Sequence, residues 1–358
     1  MSKPSARQER ILAVLRSRGS ARVAELAREF DVSPITLRRD VEALARDEQV
    51  VRSHGVVRLP SARRTDRSLR PVADVVVLMA PLHNTYLGQI ITGAREAAEQ
   101  QGLRWELLGV EEKEPTRSAI RRACAVPGAL GALIIPRWRS AAAVAAEDTV
   151  PADDGTPLAP AVLLERFPPV GSVLAELDAV RTDHTRGVLL ALRHLRERGH
   201  TRILLAARDD SPTARTIRAA FLRLIPELGL PLLAEPLLSA PGAAPDPATP
   251  MPYLPAAIRE TGATALLAHS DVDALNLVTQ LHAAGIRVPD DLSVVAYDDM
   301  IANLGGPELT VVAPPKRQVG REALALLLDR VERGGPVRHV ELLPALVDRG
   351  SVRTIASF

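Results

Sequence analysis

From residue 74 onward, continuous apolar runs alternate with amphipathic helical patterns, and this alternation constrains the fold more than any other feature. Repeated βα order with continuous apolar runs is typical of parallel strands covered on both faces. The predicted strands are Asp74–Ala80, Gly131–Ile135, Ala161–Leu164, Arg202–Ala207, Thr264–Ala268 and Leu292–Tyr297. The predicted helices between them include Tyr86–Gln101, Thr185–Arg198, Thr216–Leu228 and Asp273–Ala284. The sequence therefore predicts a doubly wound α/β domain.

The first sixty residues have a different pattern, which predicts three short helices. Amphipathic stretches at Arg7–Arg18 and Arg22–Phe30 precede a third at Ser33–Arg46. Ser33 is a good N-cap, and Pro34 suits the first helical position because its missing N–H costs nothing there. The turn between the second and third helices is short, which is the spacing of a helix-turn-helix.

The third helix has an apolar stripe and a polar, cationic leading end. Leu37, Val41 and Leu44 recur at i, i+4 and i+7, while Arg38 and Arg39 point elsewhere. Two β-like runs, 49–52 and 56–59, follow it and predict a hairpin that would serve as a wing. Such a helix suits the DNA major groove, whose base edges arginine and threonine can contact. The candidate DNA-binding residues are Arg22, Ser33, Pro34, Thr36, Arg38, Arg39, Arg52 and His54.

Charge is divided unevenly along the chain. Residues 1–72 hold 16 lysines and arginines against nine acidic residues, whereas the remainder holds 29 against 34. Phosphate neutralisation by the N-terminal arginines predicts a salt-dependent affinity for DNA. Residues 60–72 contain four arginines and few apolar side chains, which fits either a linker that touches the DNA backbone or a merely solvated tether.

The N-terminal segments RQERILAVL, VAELAREFDVSPITLRRDVEAL and VVRSHG resemble the DeoR-type winged helix-turn-helix. The wing departs from that family, because Val56 and Val57 follow Gly55 in place of the usual glycine and alanine. The resemblance implies a DNA-binding domain at residues 1–59.

Polar and aromatic side chains follow almost every predicted strand, in the segments PLHNTY, PRWR, ERF, RDDSPTAR, HSD and Asp298-Asp299. Ligands of open parallel sheets bind outside the carboxyl ends of the strands. Carboxylates and asparagine pair with vicinal hydroxyls, and arginine offers a forked donor, so these ends predict a cleft for a small polyhydroxylated ligand. Any one of these residues could equally well only cap a helix.

The large domain resembles the sensor domain of the LacI/GalR repressors and the type I periplasmic sugar-binding proteins. The resemblance is carried by TALLAHSDVDALNLVTQLHAAGIRVPDDLSVVAYDD, by ELTVVAPPKRQVGREALALLLDRV and by HNTYLGQIITGAREAAEQQGL. It implies two subdomains that close on a small molecule, three crossover segments and a homodimer. The implied subdomains are about 73–178 with 311–340, and about 179–310 with 341–353, in a domain spanning 73–353.

By this resemblance, Asn84 and Tyr86 fall in a loop that contacts ligand, and Asp271 and Asp298 fall at strand ends that contact it. Three positions depart from the family, which usually has arginine at Ile217, asparagine at Ser270 and aspartate at Pro81. Trp138 could either stack on a sugar or pack at the rim. The candidate effector-binding residues are Asn84, Tyr86, Arg137, Trp138, Arg215, Ser270, Asp271 and Asp298.

Other function classes fit the sequence less well. No apolar run reaches 18 residues and the N-terminus is charged, so we expect neither membrane insertion nor export but a cytoplasmic protein. The single cysteine, Cys124, forms no intramolecular disulfide, and no nucleotide-binding or metal-binding motif follows a strand. An enzyme, a cofactor and a metal are therefore not expected.

The sequence thus favours a transcriptional regulator, most simply a repressor, with a DNA operator and a sugar-like effector as partners. A sugar phosphate or nucleoside is the alternative effector, because Arg137, Arg139 and Arg215 could meet a phosphate. A solute-binding protein is a further alternative that the helix-turn-helix argues against. Two Pro- and Ala-rich segments, 141–160 and 238–255, are predicted to be surface loops.

Overall fold

The computed structural model describes residues 6–18, 20–30, 32–46, 49–53, 56–58, 74–81, 84–111, 114–138, 160–168, 171–241 and 253–355. Contacts divide the chain into two units, Met1–Val72 and Ala73–Phe358. The predicted linker, residues 60–72, and most of the two predicted surface loops lie outside the described residues. In the described ranges no helix has the length and apolar character needed to cross a membrane.

The N-terminal unit contains three helices and a small antiparallel sheet. The helices are α1 (Ala6–Arg18), α2 (Val23–Glu29) and α3 (Pro34–Arg46). The strands are β1 (Ser20–Arg22), β2 (Val51–Ser53) and β3 (Val56–Arg58), in the order β1-β3-β2. Leu37, Val41 and Leu44 are buried together with residues of α1 and α2, which confirms the predicted apolar stripe. The hairpin is also confirmed, although β2 begins two residues later than predicted and β1 was not predicted.

The larger unit contains two sheets, and its first lobe is built on a six-stranded parallel sheet. The strand order is β13-β8-β7-β6-β4-β5. The strands are β4 (Val75–Ala80), β5 (Arg104–Gly109), β6 (Ala129–Ile134), β7 (Ala161–Leu164), β8 (Asp178–Thr182) and β13 (His339–Leu342). Helices α4 (Thr85–Gln100), α5 (Thr116–Cys124) and α10 (Lys316–Arg333) cover its faces. Helices α4 and α10 approach so closely that a Cβ at Gly93 would lie 2.0 Å from the Arg317 carbonyl oxygen.

The second lobe is built on a five-stranded sheet in the order β14-β12-β11-β10-β9, parallel except for β14. Its strands are β9 (Ile203–Ala207), β10 (Ala265–His269), β11 (Ser293–Tyr297), β12 (Thr310–Ala313) and β14 (Ala345–Val347). Helices α6 (His184–Glu197) and α7 (Pro212–Glu227) cover one face, and α8 (Leu254–Thr261) and α9 (Asp271–Ala283) cover the other. The predicted doubly wound architecture is confirmed.

Two of the predicted subdomain limits need correction. Strand β8 belongs to the sheet of the first lobe, although residues from 179 were assigned to the second; β12 belongs to the second lobe, although residues from 311 were assigned to the first. The chain therefore crosses after Thr182, again between Ala313 and Lys316, and again between Leu342 and Ala345. The limits follow from the resemblance alone, and neither β8 nor β12 is among the predicted strands, so the sequence did not indicate which sheet each one joins.

Candidate functional site

A cavity of about 380 Å³ lies between the two lobes of the larger unit, where the carboxyl ends of the parallel strands meet. The first lobe contributes residues that follow β4, β6 and β7, and the second contributes residues that follow β9, β10 and β11. The lining residues include Asn84, Tyr86, Pro136, Arg137, Trp138, Arg166, Arg208, Asp210, Thr213, His269, Ser270, Asp271, Asp273, Asp298 and Met300. Within the described residues no group of His, Cys, Asp and Glu side chains is arranged to hold a metal ion.

Seven of the eight candidate effector-binding residues line this cavity: Asn84, Tyr86, Arg137, Trp138, Ser270, Asp271 and Asp298. The eighth, Arg215, lies on the wall of an adjoining cavity of about 350 Å³. Its Nη2 donates to the Trp138 carbonyl oxygen at 2.8 Å, so it contacts the wall of the main cavity from behind. Arg139, named as a possible phosphate contact, lies outside the described residues.

Asp298 is the most electrostatically perturbed acid in the cavity wall. It follows β11 with φ at 97°, and its side chain is buried. Burial raises the pKa of this carboxyl to about 7, and the nearby carboxylates of Asp271, Glu165 and Asp273 add to the rise while Lys316 opposes it. Among the described residues Oδ1 has no hydrogen-bond partner, so this oxygen can accept a hydrogen bond from a ligand.

Asp271 combines a structural contact with an open acceptor. Its Oδ2 accepts hydrogen bonds from the backbone amides of Met300, Ile301 and Ala302, the last two at 2.7 and 3.1 Å. These bonds fix the segment that follows Asp298. The other oxygen, Oδ1, is buried without a hydrogen-bond partner in the described part of the chain. Two carboxylates in the second lobe thus each bring one unpartnered oxygen to the cavity wall.

Three further polar atoms of the same wall are buried without hydrogen-bond partners among the described residues: the donors Tyr86 Oη and Arg166 Nε, and the ring nitrogen Nδ1 of His269. Burial raises the pKa of Tyr86 well above that of an exposed tyrosine, so the hydroxyl keeps its proton. Burial, helped by the charges of His184 and Arg208, lowers the pKa of His269 to about 3, so its imidazole is neutral. Buried polar groups are almost always hydrogen-bonded, so these open atoms need water or a polar ligand in the cavity as partners.

A buried hydrogen-bond chain beneath the cavity links the two lobes. Glu165 follows β7, and its Oε1 accepts from the Thr182 hydroxyl at 2.9 Å while its Oε2 lies 3.2 Å from Nε2 of His184. Nδ1 of His184 lies 3.1 Å from the hydroxyl of Tyr297 at the end of β11. Gly187 must be glycine here, since a Cβ would lie 2.1 Å from that hydroxyl. This chain fixes the positions of the strand ends that carry Arg166 and Asp298.

Two contributions to the site were missed from the sequence. Arg166 lies in the cavity wall, donating Nη1 to the Glu165 carbonyl oxygen at 2.6 Å and contacting the Thr213 hydroxyl of the second lobe at 3.4 Å. Arg208 forms a bidentate pair with buried Asp273 at 2.9 and 3.1 Å. The segments ERF and RDDSPTAR were singled out as strand ends, but sequence alone did not indicate which of their arginines face the ligand.

The departures at Ile217 and the neighbouring arginines have structural explanations. Ile217 is fully buried in the core between α6, α7 and the sheet. Arg218 donates to the carbonyl oxygens of Ala207, Pro236 and Leu237, so it ties α7 to a loop. Trp138 is 4% exposed, which places most of its ring in the core of the first lobe and only an edge at the cavity.

The second candidate surface is the outer face of α3 in the N-terminal unit. The Ser33 hydroxyl accepts from the Thr36 amide at 3.1 Å, which confirms the N-cap, and also lies 2.8 Å from the Thr36 hydroxyl. Arg38 and Arg39 are exposed, and in the described residues neither forms an ion pair. Arg22 and Arg52 lie in β1 and β2, Pro34 begins α3, and His54 lies outside the described residues.

Two family profiles match separate parts of the chain. The profile of the DeoR-like helix-turn-helix domain matches residues 7–63. The profile of the periplasmic binding protein-like domain matches residues 192–352, which lie in the larger unit.

The curated relatives include repressors. The chain is 31% identical over 183 residues to the HTH-type transcriptional repressor PurR of Aliivibrio fischeri, covering 49% of this chain and 54% of the relative. It is 29% identical over 188 residues to the protein of the same name from Vibrio parahaemolyticus, covering 52% and 56%. The chain thus spans about half the length of the curated relatives it matches.

Solved structures support the two-lobed fold. A LacI family transcriptional regulator from Enterococcus faecium with bound ribose superposes with a TM-score of 0.60 at 23% identity, covering 79% of this chain and all of the other. The lactose repressor bound to an anti-inducer superposes with a TM-score of 0.62 at 22% identity, covering 78% and 99%. At these identities the likeness establishes the fold.

Proposed function

We propose that this chain is a DNA-binding transcriptional repressor whose operator affinity is controlled by a small polyhydroxylated effector bound between the two lobes. One observation carries the proposal: a single chain joins a helix-turn-helix unit with an exposed cationic face to a two-lobed unit whose cleft contains buried, unpartnered carboxylate oxygens. Similarity over about half of the chain to proteins named as transcriptional repressors supports the repressor part of this proposal.

On the DNA side, the N-terminal unit would act as a DeoR-type winged helix-turn-helix. Ser33, Pro34, Thr36, Arg38 and Arg39 would contact the major groove, together with Arg52 and His54 of the wing, and Arg22 would lie near the DNA backbone. A homodimer would present two such helices to one face of DNA, so the operator would be a pseudo-palindrome. Binding to the chromosome also implies a cytoplasmic protein.

On the effector side, the unpartnered oxygens of Asp271 and Asp298 would accept hydrogen bonds from vicinal hydroxyls of the ligand. Tyr86 and Arg166 would donate to its oxygens from the first lobe. Because the ligand would contact both lobes, its binding would favour one closure of the cleft over the others. That change would alter operator affinity through the segment between the units.

A second candidate effector is a phosphorylated sugar or a nucleoside. The observation that favours it is the presence of Arg137 and Arg166 in the cavity wall, because guanidinium groups bind phosphate through paired hydrogen bonds. An enzyme or a solute-binding protein would leave the exposed cationic face of α3 without a role.

The test begins with selection of an operator from random DNA by the full-length protein. Operator affinity is then measured by fluorescence anisotropy with and without free sugars, sugar phosphates and nucleosides. Asp298→Asn should bind the operator as the wild type does but lose the effector response. Asp299→Asn is the matched control, because the neighbouring Asp299 pairs with Arg349 at 2.8 Å and does not line the cavity.

Failure to select any DNA sequence would contradict the DNA-binding half of the proposal. An equal effector response in wild type and Asp298→Asn would contradict the assignment of the cavity. A response to phosphorylated sugars but not to their free parents would favour the second candidate effector.

A further inference from the structure

Ile35 is a large apolar side chain at a solvent-exposed position, where a polar side chain is more common. It is 69% exposed, on the first turn of α3. Other large apolar side chains of this unit, such as Ile11, Leu15 and Leu26, are buried in its core. Among the side chains that the structure describes between residues 6 and 58, Ile35 is the one large apolar group that is mostly exposed.

Its position on α3 places it among the arginines. The buried residues Leu37, Val41 and Leu44 form one side of the helix. Because an α-helix turns about 100° per residue, Ile35 and Arg39 at i and i+4 lie on the opposite side, and Arg38 flanks them. Both arginines are exposed and without ion pairs in the described residues, so the surface around Ile35 is cationic.

A cationic surface that also carries one apolar group matches the chemistry of the DNA major groove. Phosphates line that groove, and thymine alone of the four bases presents a methyl group in it, at C5. Isoleucine is branched at Cβ and therefore has little rotamer freedom to lose when it makes a contact. An apolar side chain one helical turn before two arginines could thus distinguish thymine from cytosine without a hydrogen bond.

We propose that Ile35 is a specificity-determining residue that packs against the C5 methyl of a thymine in each half of the operator. This inference rests on the proposed DNA-binding function and goes beyond it, because it assigns one base to one side chain. The arginines supply most of the affinity, and Ile35 supplies part of the sequence preference.

The test uses the full-length protein and the selected operator. Each thymine is replaced in turn by deoxyuridine, which lacks only the C5 methyl. The wild-type protein should bind about fourfold more weakly when deoxyuridine replaces the contacted thymine of one half-site, because one buried methyl contact is lost. Replacement of the other thymines should have no such effect. Ile35→Ala should bind operators with thymine and with deoxyuridine at that position equally well. Leu304→Ala is the matched control, because Leu304 is a large apolar side chain of the larger unit with a similar exposure, at 73%.

A thymine position whose methyl dependence disappears in Ile35→Ala and persists in Leu304→Ala would establish the contact. Ile35→Val, which keeps the branched Cβ, should retain most of the thymine preference and guards against a folding defect in the alanine variant. If wild type and Ile35→Ala discriminate thymine from deoxyuridine equally at every position, the inference is wrong although the protein still binds DNA. If no operator can be selected, the proposed function fails together with it.

Discussion

The outer face of α3 and the wall of the interlobe cavity differ in how their functional groups are held. On α3 the groups are exposed, come from one helix and leave the buried stripe untouched. In the cavity they are buried, come from six strand ends and share hydrogen bonds with the structure around them. Substitutions of the exposed arginines on α3 should therefore change DNA binding without changing stability, whereas substitutions in the cavity wall should change both ligand binding and stability.

The largest predicted effect is on the pH dependence of the free energy of unfolding, and it comes from Asp298. Its pKa of about 7 in the folded chain lies above the 3.8 of a free aspartate, so the folded state holds the proton more tightly than the unfolded state. The stability contributed by the protonated carboxyl is complete below about pH 4 and is lost as pH rises through 7, a change of about 4 kcal/mol. Asp298→Asn, which stays uncharged, should lack this loss and be more stable than the wild type at pH 8.

Urea unfolding of both proteins between pH 4 and pH 8 measures the difference. Asp299→Asn should keep the wild-type slope, because it leaves the buried Asp298 carboxyl in place. If the free energy of unfolding depends on pH in the same way for wild type and Asp298→Asn, burial does not hold the proton on this carboxyl.

The next effect is expected at Asp271. Asp271→Ala removes the acceptor of three backbone amides and should lower the free energy of unfolding by about 3 kcal/mol, since each unsatisfied buried donor costs about 1 kcal/mol or more. Urea unfolding at pH 7 measures the change. Asp290→Ala, at an exposed aspartate on the same lobe, should have little effect. A decrease in the free energy of unfolding of less than about 1 kcal/mol would show that water replaces the carboxylate. The cavity wall would then tolerate substitution as well as the exposed face of α3.

Arg38→Ala should separate binding from folding. If Arg38 makes a bidentate contact to a base, its removal should weaken operator binding by about 1–3 kcal/mol. The urea unfolding curve should not move, because Arg38 is exposed and Leu37 beside it stays buried. A gel-shift titration compares the variant with wild type, and Arg223→Ala, at an exposed arginine of α7, serves as control. Wild-type affinity would exclude Arg38 from the interface.

The smallest effect is expected at the N-cap of α3. Ser33→Ala removes the hydrogen bond to the Thr36 amide and should cost about 1 kcal/mol of stability, whereas Ser33→Asp should retain it. The thermal unfolding midpoint of the N-terminal unit, recorded on the full-length protein, measures this loss of stability. An unchanged midpoint for the alanine variant would mean that packing alone fixes the start of α3.

The contrast between the two surfaces also explains what the sequence could predict. The exposed face of α3 could be predicted from local sequence, because the N-cap, the helical periodicity and the charge pattern all lie within fourteen consecutive residues. The cavity residues follow from the rule that ligands bind beyond strand ends, which brought seven of the eight candidates together. That rule gives a location but not an orientation, so it did not separate Arg166, in the wall, from Arg215, behind it.

Some strands escaped prediction for a related reason. Strand β5 lies at the edge of its sheet with Arg104, Trp105, Glu106 and Leu107 exposed, so it lacks the continuous apolar run of a central strand. Strands β13 and β14 are short and half-exposed, and their pairing depends on distant parts of the chain. The subdomain limits near residues 179 and 311 were wrong because they followed the resemblance, and β8 and β12 were not themselves predicted as strands.

Thermal unfolding of the full-length protein against a panel of free sugars, nucleosides and sugar phosphates tests the central proposal most directly. A ligand present at a hundred times its dissociation constant adds about 2.7 kcal/mol to the stability of the state that binds it. We expect at least one polyhydroxylated compound to raise the unfolding midpoint of the larger unit by several degrees, and Asp298→Asn to lose that shift. No shift with any compound, or an equal shift in the variant, would contradict an effector site in the interlobe cavity.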